Sequence, residues 1–122
     1  AGACRFPGFV RGAEKLRRLQ EATLLALPSY AEGVPVAVLE AMAAGLPVVT
    51  TPVGGLPDIL QDGRNGLFAP VGDVPALAAA ICRLLADPAL ARRMGQANRQ
   101  QALAEYDLPA YTQKLSALYA DL

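Results

Sequence analysis

Short apolar runs, each followed by a proline, alternate with helical segments through most of this chain. Residues 23–27, 48–51 and 67–69 are apolar or β-branched and too short for a helix, so we predict buried strands there, with residues 48–51 in the centre. A fourth strand is expected between residues 4 and 10. Parallel neighbours need a crossover connection, so strands that alternate with helices indicate a parallel sheet. The order predicts an α/β fold: a partial Rossmann-like, three-layer parallel sheet with C-terminal helices.

The connections between the strands carry helix signals. We predict helices at residues 12–21, 35–44 and 56–60. Leu16 and Leu19 share one side of the first segment, which is otherwise charged, as is typical of a surface helix. The second begins at Pro35, a residue favoured in the first helical turn, and Gly45 can take the left-handed conformation that ends it.

Three aspartates mark helix starts in the last part of the chain. Asp73, Asp87 and Asp107 each precede a proline and an apolar stripe, as expected of N-cap residues. The stripes are Leu77, Ile81, Leu84 and Leu85, then Leu90, Met94 and Ala97, then Tyr111, Leu115, Leu118 and Leu122. We therefore divide the chain into a sheet part, residues 1–86, and a helical end-piece, residues 87–122.

Charge and composition exclude several function classes. Basic and acidic side chains number 11 each, so we expect no basic face for nucleic acid. The chain has no His, which excludes His-based triads and His-ligated zinc. Cys4 and Cys82 lack metal-ligand spacing, and we expect two buried thiols in a reducing cytoplasm, a disulfide being the alternative. We expect no metal site and no cofactor. The uncharged run at residues 41–57 is interrupted by glycines and prolines and is no membrane span.

Glu40 is the most informative charged residue. It is the only charge between Gly33 and Pro57, and its neighbours in the predicted helix are apolar. A carboxylate in such surroundings is costly unless it is paired or hydrogen-bonded, and no Lys or Arg lies nearby in the sequence. Ligand hydroxyls would serve as partners; the alternative is that Glu40 lies on an exposed, solvated stripe. Glu32, in the preceding loop, could face the same ligand across the helix start.

The common nucleotide-binding signatures are missing from the sequence. No G-x-G-x-x-G follows a strand and no G-x-x-x-x-G-K-[ST] occurs. These two patterns hold phosphates in dinucleotide oxidoreductases and in P-loop enzymes. Both classes are therefore disfavoured.

Residues 28–49 resemble the E-x7-E region of the group 1 (family 4) retaining glycosyltransferases with the GT-B fold. Glu32 and Glu40 would be the two glutamates of that motif. Residues 6–10 are similar to the family's strand end, and residues 54–58 to its GG-x-P-E turn. Residues 65–67 are similar to its NG-L strand, and Asp73 with Leu77 to its D-x-x-x-L helix start. The resemblance covers nearly the whole chain.

The resemblance implies that residues 1–122 are a truncated C-terminal domain that binds a nucleotide-diphosphate sugar, half of a GT-B donor domain. Glu40 would bind the ribose hydroxyls, and Glu32 would act as the catalytic residue beside the reacting carbon of the sugar. Backbone amides of Gly33, Val34 and Val36 would hold the sugar and the diphosphate. The activity implied is that of a metal-independent retaining hexosyltransferase in the full-length parent, with the fragment alone inactive.

The sequence departs from the family pattern at two positions. Pro35 stands where many members have Gly and lacks the N–H that could reach a ligand, and Asp58 stands where Glu is usual. Ser29 could donate to a phosphate or act as a loop cap. The family's diphosphate-binding Arg and Lys precede the segment that corresponds to Phe6.

Several partners and alternative functions are compatible with the resemblance. The acceptor would be a glycan, a lipid-linked molecule or a small molecule, and the parent could associate peripherally with a membrane. An unpaired sheet edge would allow the fragment to self-associate. The alternative function is a non-catalytic nucleotide-sugar-binding or interaction module, and a nucleotide-sugar epimerase or phosphorylase is a third candidate.

Overall fold

The computed structural model describes residues 12–28 and 36–105. Within them, three parallel strands lie in the order β1-β2-β3: β1 (Leu25–Leu27), β2 (Val48–Thr50) and β3 (Gly66–Phe68). The parallel sheet and the central place of the second strand are thus confirmed. The strand predicted between residues 4 and 10 lies outside the described residues.

Five helices are found in the described ranges. They are α1 (Gly12–Glu21), α2 (Val36–Ala43), α3 (Leu56–Ile59), α4 (Val74–Ala86) and α5 (Pro88–Glu105). Asp73 Oδ1 accepts a hydrogen bond from Ala76 N at 2.9 Å, and Asp87 Oδ1 accepts one from Leu90 N at 3.1 Å. Both predicted N-caps are confirmed. Asp107 lies outside the described residues.

All three strands differ from the prediction at their ends, and β2 ends one residue early, at Thr50. β1 begins only at Leu25, whose N–H donates to Pro47 O at 3.0 Å. β3 begins one residue early, at Gly66, which pairs with Val48 of β2. A Cβ at Gly66 would lie 2.6 Å from Val48 O, so this close approach of the two strands requires a glycine. Because glycine has no side chain, the pattern of apolar side chains did not include it in the strand.

The two faces of the sheet carry separate hydrophobic clusters. Val48 packs with Met42 of α2, whereas the next residue, Val49, packs with Leu84 of α4 and Met94 of α5. Successive side chains of a strand point to opposite faces, which explains how one strand serves both clusters. The three-layer α/β architecture is therefore confirmed.

Helix α5 crosses the amino-terminal ends of the strands. Met94 belongs to the cluster on one face of the sheet and Ala102 to the cluster on the other. Between them, Asn98 Nδ2 donates to Leu46 O at 2.7 Å and to Asn65 O at 2.8 Å. Because these carbonyls lie just before β2 and β3, α5 closes the amino end of the sheet.

The C-terminus of α2 meets α5 in the same region. Gly45 has φ +79°, and hydrogen bonds from Gly45 N to Met42 O and from Leu46 N to Ala41 O end the helix. This left-handed ending is the one predicted for Gly45. A Cβ on Gly95 would overlap Gly45 O, so the backbones of α5 and of the α2 terminus are in direct contact.

One surface arginine of α5 has a structural role. Arg92 and Arg93 of this helix are simply exposed. Arg99 is also exposed, but its Nη1 donates to Ala43 O at 2.9 Å. It thereby satisfies one of the last carbonyls of α2, a group that has no partner within its own helix.

Three predicted inward positions face solvent. Leu85 is 57% exposed, because Leu84 takes the inward place and neighbouring helix residues point about 100° apart. Leu16 is half-exposed, while Leu19 packs against the α2 cluster. Cys82 is exposed, so the prediction that it is a buried thiol is wrong. Cys4 lies outside the described residues.

No single helix in residues 12–28 and 36–105 is both long and apolar enough to cross a membrane. Helices α4 and α5 reach the required length and composition only when taken together, and they are bent by 99° at their junction.

Candidate functional site

The carboxyl ends of the three strands meet at a cavity of about 240 Å³. Pro28, Thr51 and Ala69 line it, and they are the residues that directly follow β1, β2 and β3. Asp73 and Leu77 contribute the α4 side. Ligands of parallel α/β sheets bind beyond this edge of the sheet. Pro28, Thr51 and Ala69 could have been identified from the sequence, because each of them directly follows a predicted strand or ends one.

An acidic residue, Asp73, lies at the N-terminus of α4 beside the cavity. Asp73 caps the helix, so a carboxylate already occupies the end where backbone N–H groups attract anions. The first turn of α2, in contrast, contains no acidic residue. Of these two helix starts, the one at α2 is therefore the better place for the negative charge of a ligand.

Glu40 is buried within α2. Its side chain is only 5% exposed, and the neighbouring Val38, Ala41 and Met42 are fully buried. Glu40 is one of four buried residues in this eight-residue helix, so its carboxylate has little contact with bulk water. The alternative that Glu40 lies on an exposed stripe is therefore wrong, and its carboxylate needs partners.

One partner of Glu40 is Lys15, on the helix that precedes β1. Lys15 Nζ lies 3.3 Å from Glu40 Oε1. No basic residue lies near Glu40 in the sequence, because the contact joins two separate helices, α1 and α2. A signal was present nonetheless: Lys15 lies four residues before the inward-facing Leu19, so both belong to the same face of α1.

The other predicted site residues are only partly described. Val36 begins α2 with its side chain exposed, and its backbone N–H is among the four that have no acceptor within the helix. Ser29, Glu32, Gly33 and Val34 lie outside the described residues. Glu40 and Val36 are thus on one helix, and the roles of all six residues stay predictions.

A buried pair of asparagines was missed by the sequence analysis. Asn65 Oδ1 accepts from Gln61 N at 2.7 Å and its Nδ2 donates to Ile59 O at 3.1 Å, which organises the turn before β3. The resemblance had identified Asn65 only as part of a motif. Together with Asn98, it serves the closed amino end of the sheet rather than the ligand side.

Comparison with known proteins identifies the family. A family model described as glycosyl transferases group 1 matches residues 1–87. This chain belongs to the group 1 glycosyltransferases. The predicted family resemblance is confirmed, and the fold is that of one part of the GT-B glycosyltransferases.

Curated relatives of this group 1 chain include a glycogen synthase of Mycobacterium tuberculosis, 40% identical over 105 residues, which are 86% of this chain and 25% of that protein. The amylovoran biosynthesis glycosyltransferase AmsK of Erwinia amylovora is 45% identical over 83 residues, or 63% of this chain and 20% of that protein. The chain thus spans a quarter of the length of the first of these curated relatives, 25%, and a fifth of the second, 20%.

Two solved structures have a similar fold. Sucrose-phosphate synthase from Thermosynechococcus elongatus has a TM-score of 0.69 at 39% identity, covering 82% of this chain and 25% of that one. HepE from Anabaena, solved in complex with UDP and glucose, has a TM-score of 0.79 at 24% identity, covering 97% of this chain and 32% of that one. The second likeness concerns the fold alone.

Proposed function

We propose that this chain binds a nucleotide-diphosphate sugar and is the donor-binding part of an enzyme that transfers the sugar to an acceptor. The observation that carries the proposal is the buried, lysine-paired Glu40 on the helix that follows β1. Family membership supports it, as do the UDP and UDP-glucose complexes of the HepE protein that shares the fold.

Glu40 is proposed to bind the two ribose hydroxyls of the donor. A carboxylate has two oxygens and can accept a hydrogen bond from each of two neighbouring hydroxyls. Such charge-assisted bonds are stronger where water is excluded, and Glu40 is almost completely buried. Water would therefore not easily replace the ribose hydroxyls as hydrogen-bond partners of the Glu40 carboxylate.

The diphosphate is proposed to lie at the start of α2. Backbone N–H groups of Gly33, Val34 and Val36 would donate to its oxygens, while Pro35 has no N–H to contribute. The helix dipole favours an anion there, and no acidic side chain competes for the position in the first turn. Ser29 is proposed as a further donor to phosphate.

The reaction is proposed to proceed with retention and without a metal. The bond from the anomeric carbon to the diphosphate oxygen breaks, and its electron pair leaves with the diphosphate. An acceptor hydroxyl bonds to the carbon on the same face and gives its proton to a diphosphate oxygen. Glu32 would stabilise the positive charge that develops on the sugar, and the amides would stabilise the leaving group.

The ribose contact is tested with Glu40→Gln in the full-length enzyme. Glutamine keeps the shape but removes the charge, so we expect the donor KM to rise about tenfold or more, with kcat within about twofold. Glu105→Gln, at the exposed end of α5, is the matched control and should leave both constants unchanged. An unchanged donor KM in Glu40→Gln would refute the ribose assignment.

The catalytic role is tested with Glu32→Ala. We expect kcat to fall by about a hundredfold or more while the melting temperature stays near that of the parent enzyme. Near-normal turnover would refute the role of Glu32, and absence of turnover in the unmodified protein would favour the non-catalytic binding module. Retention is checked by NMR of the product anomer, and metal independence by assay in a chelator.

A further inference from the structure

We propose that Lys15 is a positioning residue for donor binding, acting through Glu40. Its ammonium would hold the Glu40 carboxylate in the orientation that the ribose requires, and would offset the cost of keeping that charge buried before the donor arrives. The inference rests on the proposed function, because it assumes that Glu40 binds the donor.

The geometry of the pair supports this role. Nζ lies 3.3 Å from Oε1, and the exposed fractions are 29% for the Lys15 side chain and 5% for Glu40. A single carboxylate at such depth loses most of its hydration, and a nearby cation compensates for part of that loss. Lys15 retains some contact with solvent. The ion pair therefore links a buried residue of α2 to a partly exposed residue of α1.

The other cations of α1 are arranged differently. Arg18 Nη2 lies 3.1 Å from Glu14 Oε1, and Arg17 lies 3.9 Å from both Glu14 and Glu21. These pairs stay within one exposed helix, where ion pairs contribute little. Lys15, in contrast, connects α1 to α2. The helix therefore supplies matched controls of the same charge.

The pair also explains why α1 matters to a site on another helix. α1 carries no fully buried residue, and Leu19 is its one described contact with the α2 cluster. Lys15 and Leu19, one turn apart, thus form one strip that lies against the α2 side of the molecule. Removal of the Lys15 charge should affect the carboxylate more than the hydrophobic packing, which Leu19 maintains.

The test is a double-mutant cycle in the full-length enzyme, with the donor KM and kcat measured at saturating acceptor. We expect Lys15→Met to raise the donor KM about tenfold with kcat within about twofold, and Lys15→Arg to restore the KM to within about threefold of the parent. In a Glu40→Gln background, Lys15→Met should add less than about twofold, since it acts through the missing carboxylate. Arg18→Met should change neither constant.

Three results would overturn the inference, and they are distinguishable. If Glu40→Gln raises the donor KM and Lys15→Met does not, only the role of Lys15 fails. If Lys15→Met raises the KM equally in both backgrounds, Lys15 does not act through Glu40. If Glu40→Gln leaves the KM unchanged, the ribose assignment of the proposed function fails as well. Should Lys15→Met not fold, as judged by its melting curve, Lys15→Gln takes its place in the same cycle.

Discussion

The amino and carboxyl ends of the same three strands are built in opposite ways. At the amino end, α5 lies directly against the backbone, with Gly95 on Gly45 and the Asn98 amide bonded to two loop carbonyls. At the carboxyl end, the residues that follow the strands surround a cavity of about 240 Å³. The contacts that join helix and sheet backbones are therefore concentrated at the amino end, whereas the carboxyl end is open.

The largest expected effect is that of Gly95→Ala at the closed end. Helix propensity alone favours alanine over glycine by about 1 kcal/mol. The added Cβ would overlap Gly45 O, however, so backbone elements must separate, and we expect a net loss of about 3 kcal/mol or more in the free energy of unfolding, measured by urea denaturation. Gln96→Ala, at the next and exposed position, should change the stability by less than about 0.5 kcal/mol. A stabilised Gly95→Ala variant would show that α5 is not in tight contact.

The second effect, also at the closed end, is that of Asn98→Ala. It removes both hydrogen bonds to Leu46 O and Asn65 O and leaves two carbonyls without this donor, so we expect a loss of about 2 kcal/mol in the same denaturation experiment. Gln100→Ala, exposed on the same helix, is the control. A loss below about 0.5 kcal/mol would mean that the amide does not join α5 to the strands.

At the open end of the sheet, Asp73→Ala should lower the free energy of unfolding by less than Asn98→Ala does. It removes the N-cap bond to Ala76 N, and such caps contribute about 1 kcal/mol. Asp73→Ser keeps a cap acceptor and should recover most of the loss, as measured by thermal unfolding. If Asp73→Ala cost more than Asn98→Ala, the comparison between the two ends would be reversed.

The smallest effect is expected for Val74→Thr on the rim of the cavity. The Val74 side chain is 70% exposed, so the change should alter the free energy of unfolding by less than about 0.5 kcal/mol. Leu84→Ala, at a fully buried position of the same helix, provides the contrast, with an expected loss of about 3 kcal/mol. A large loss for Val74→Thr would indicate that the rim is packed rather than open.

Local signals in the sequence predicted the elements of the fold well. The strands were found from short apolar runs, and Gly45, Asp73 and Asp87 take the helix-end roles that their residue types favour. These features depend on interactions within a few residues. The family motifs are likewise local, and they indicated the fold.

Contacts between distant segments could not be predicted in the same way. Asn98 lies four residues after Met94, on the same face of α5, but the sequence does not show which loops that face meets. Lys15 meets Glu40 only because the fold brings α1 close to α2. Leu85 was assigned to an apolar stripe, but only packing decides which of two adjacent leucines turns inward.

The fixed C-terminus of α2 has a mechanical consequence for its other end. Gly45, Arg99 and the Gly95 contact all hold the helix where it ends, and none of them acts where it begins. Eight residues span about 12 Å, so a tilt of roughly 10° about that fixed end would move Val36 by about 2 Å. A displacement of this size makes or breaks a hydrogen bond. A tilt of that kind would change contacts at the start of α2 and keep those at its C-terminus.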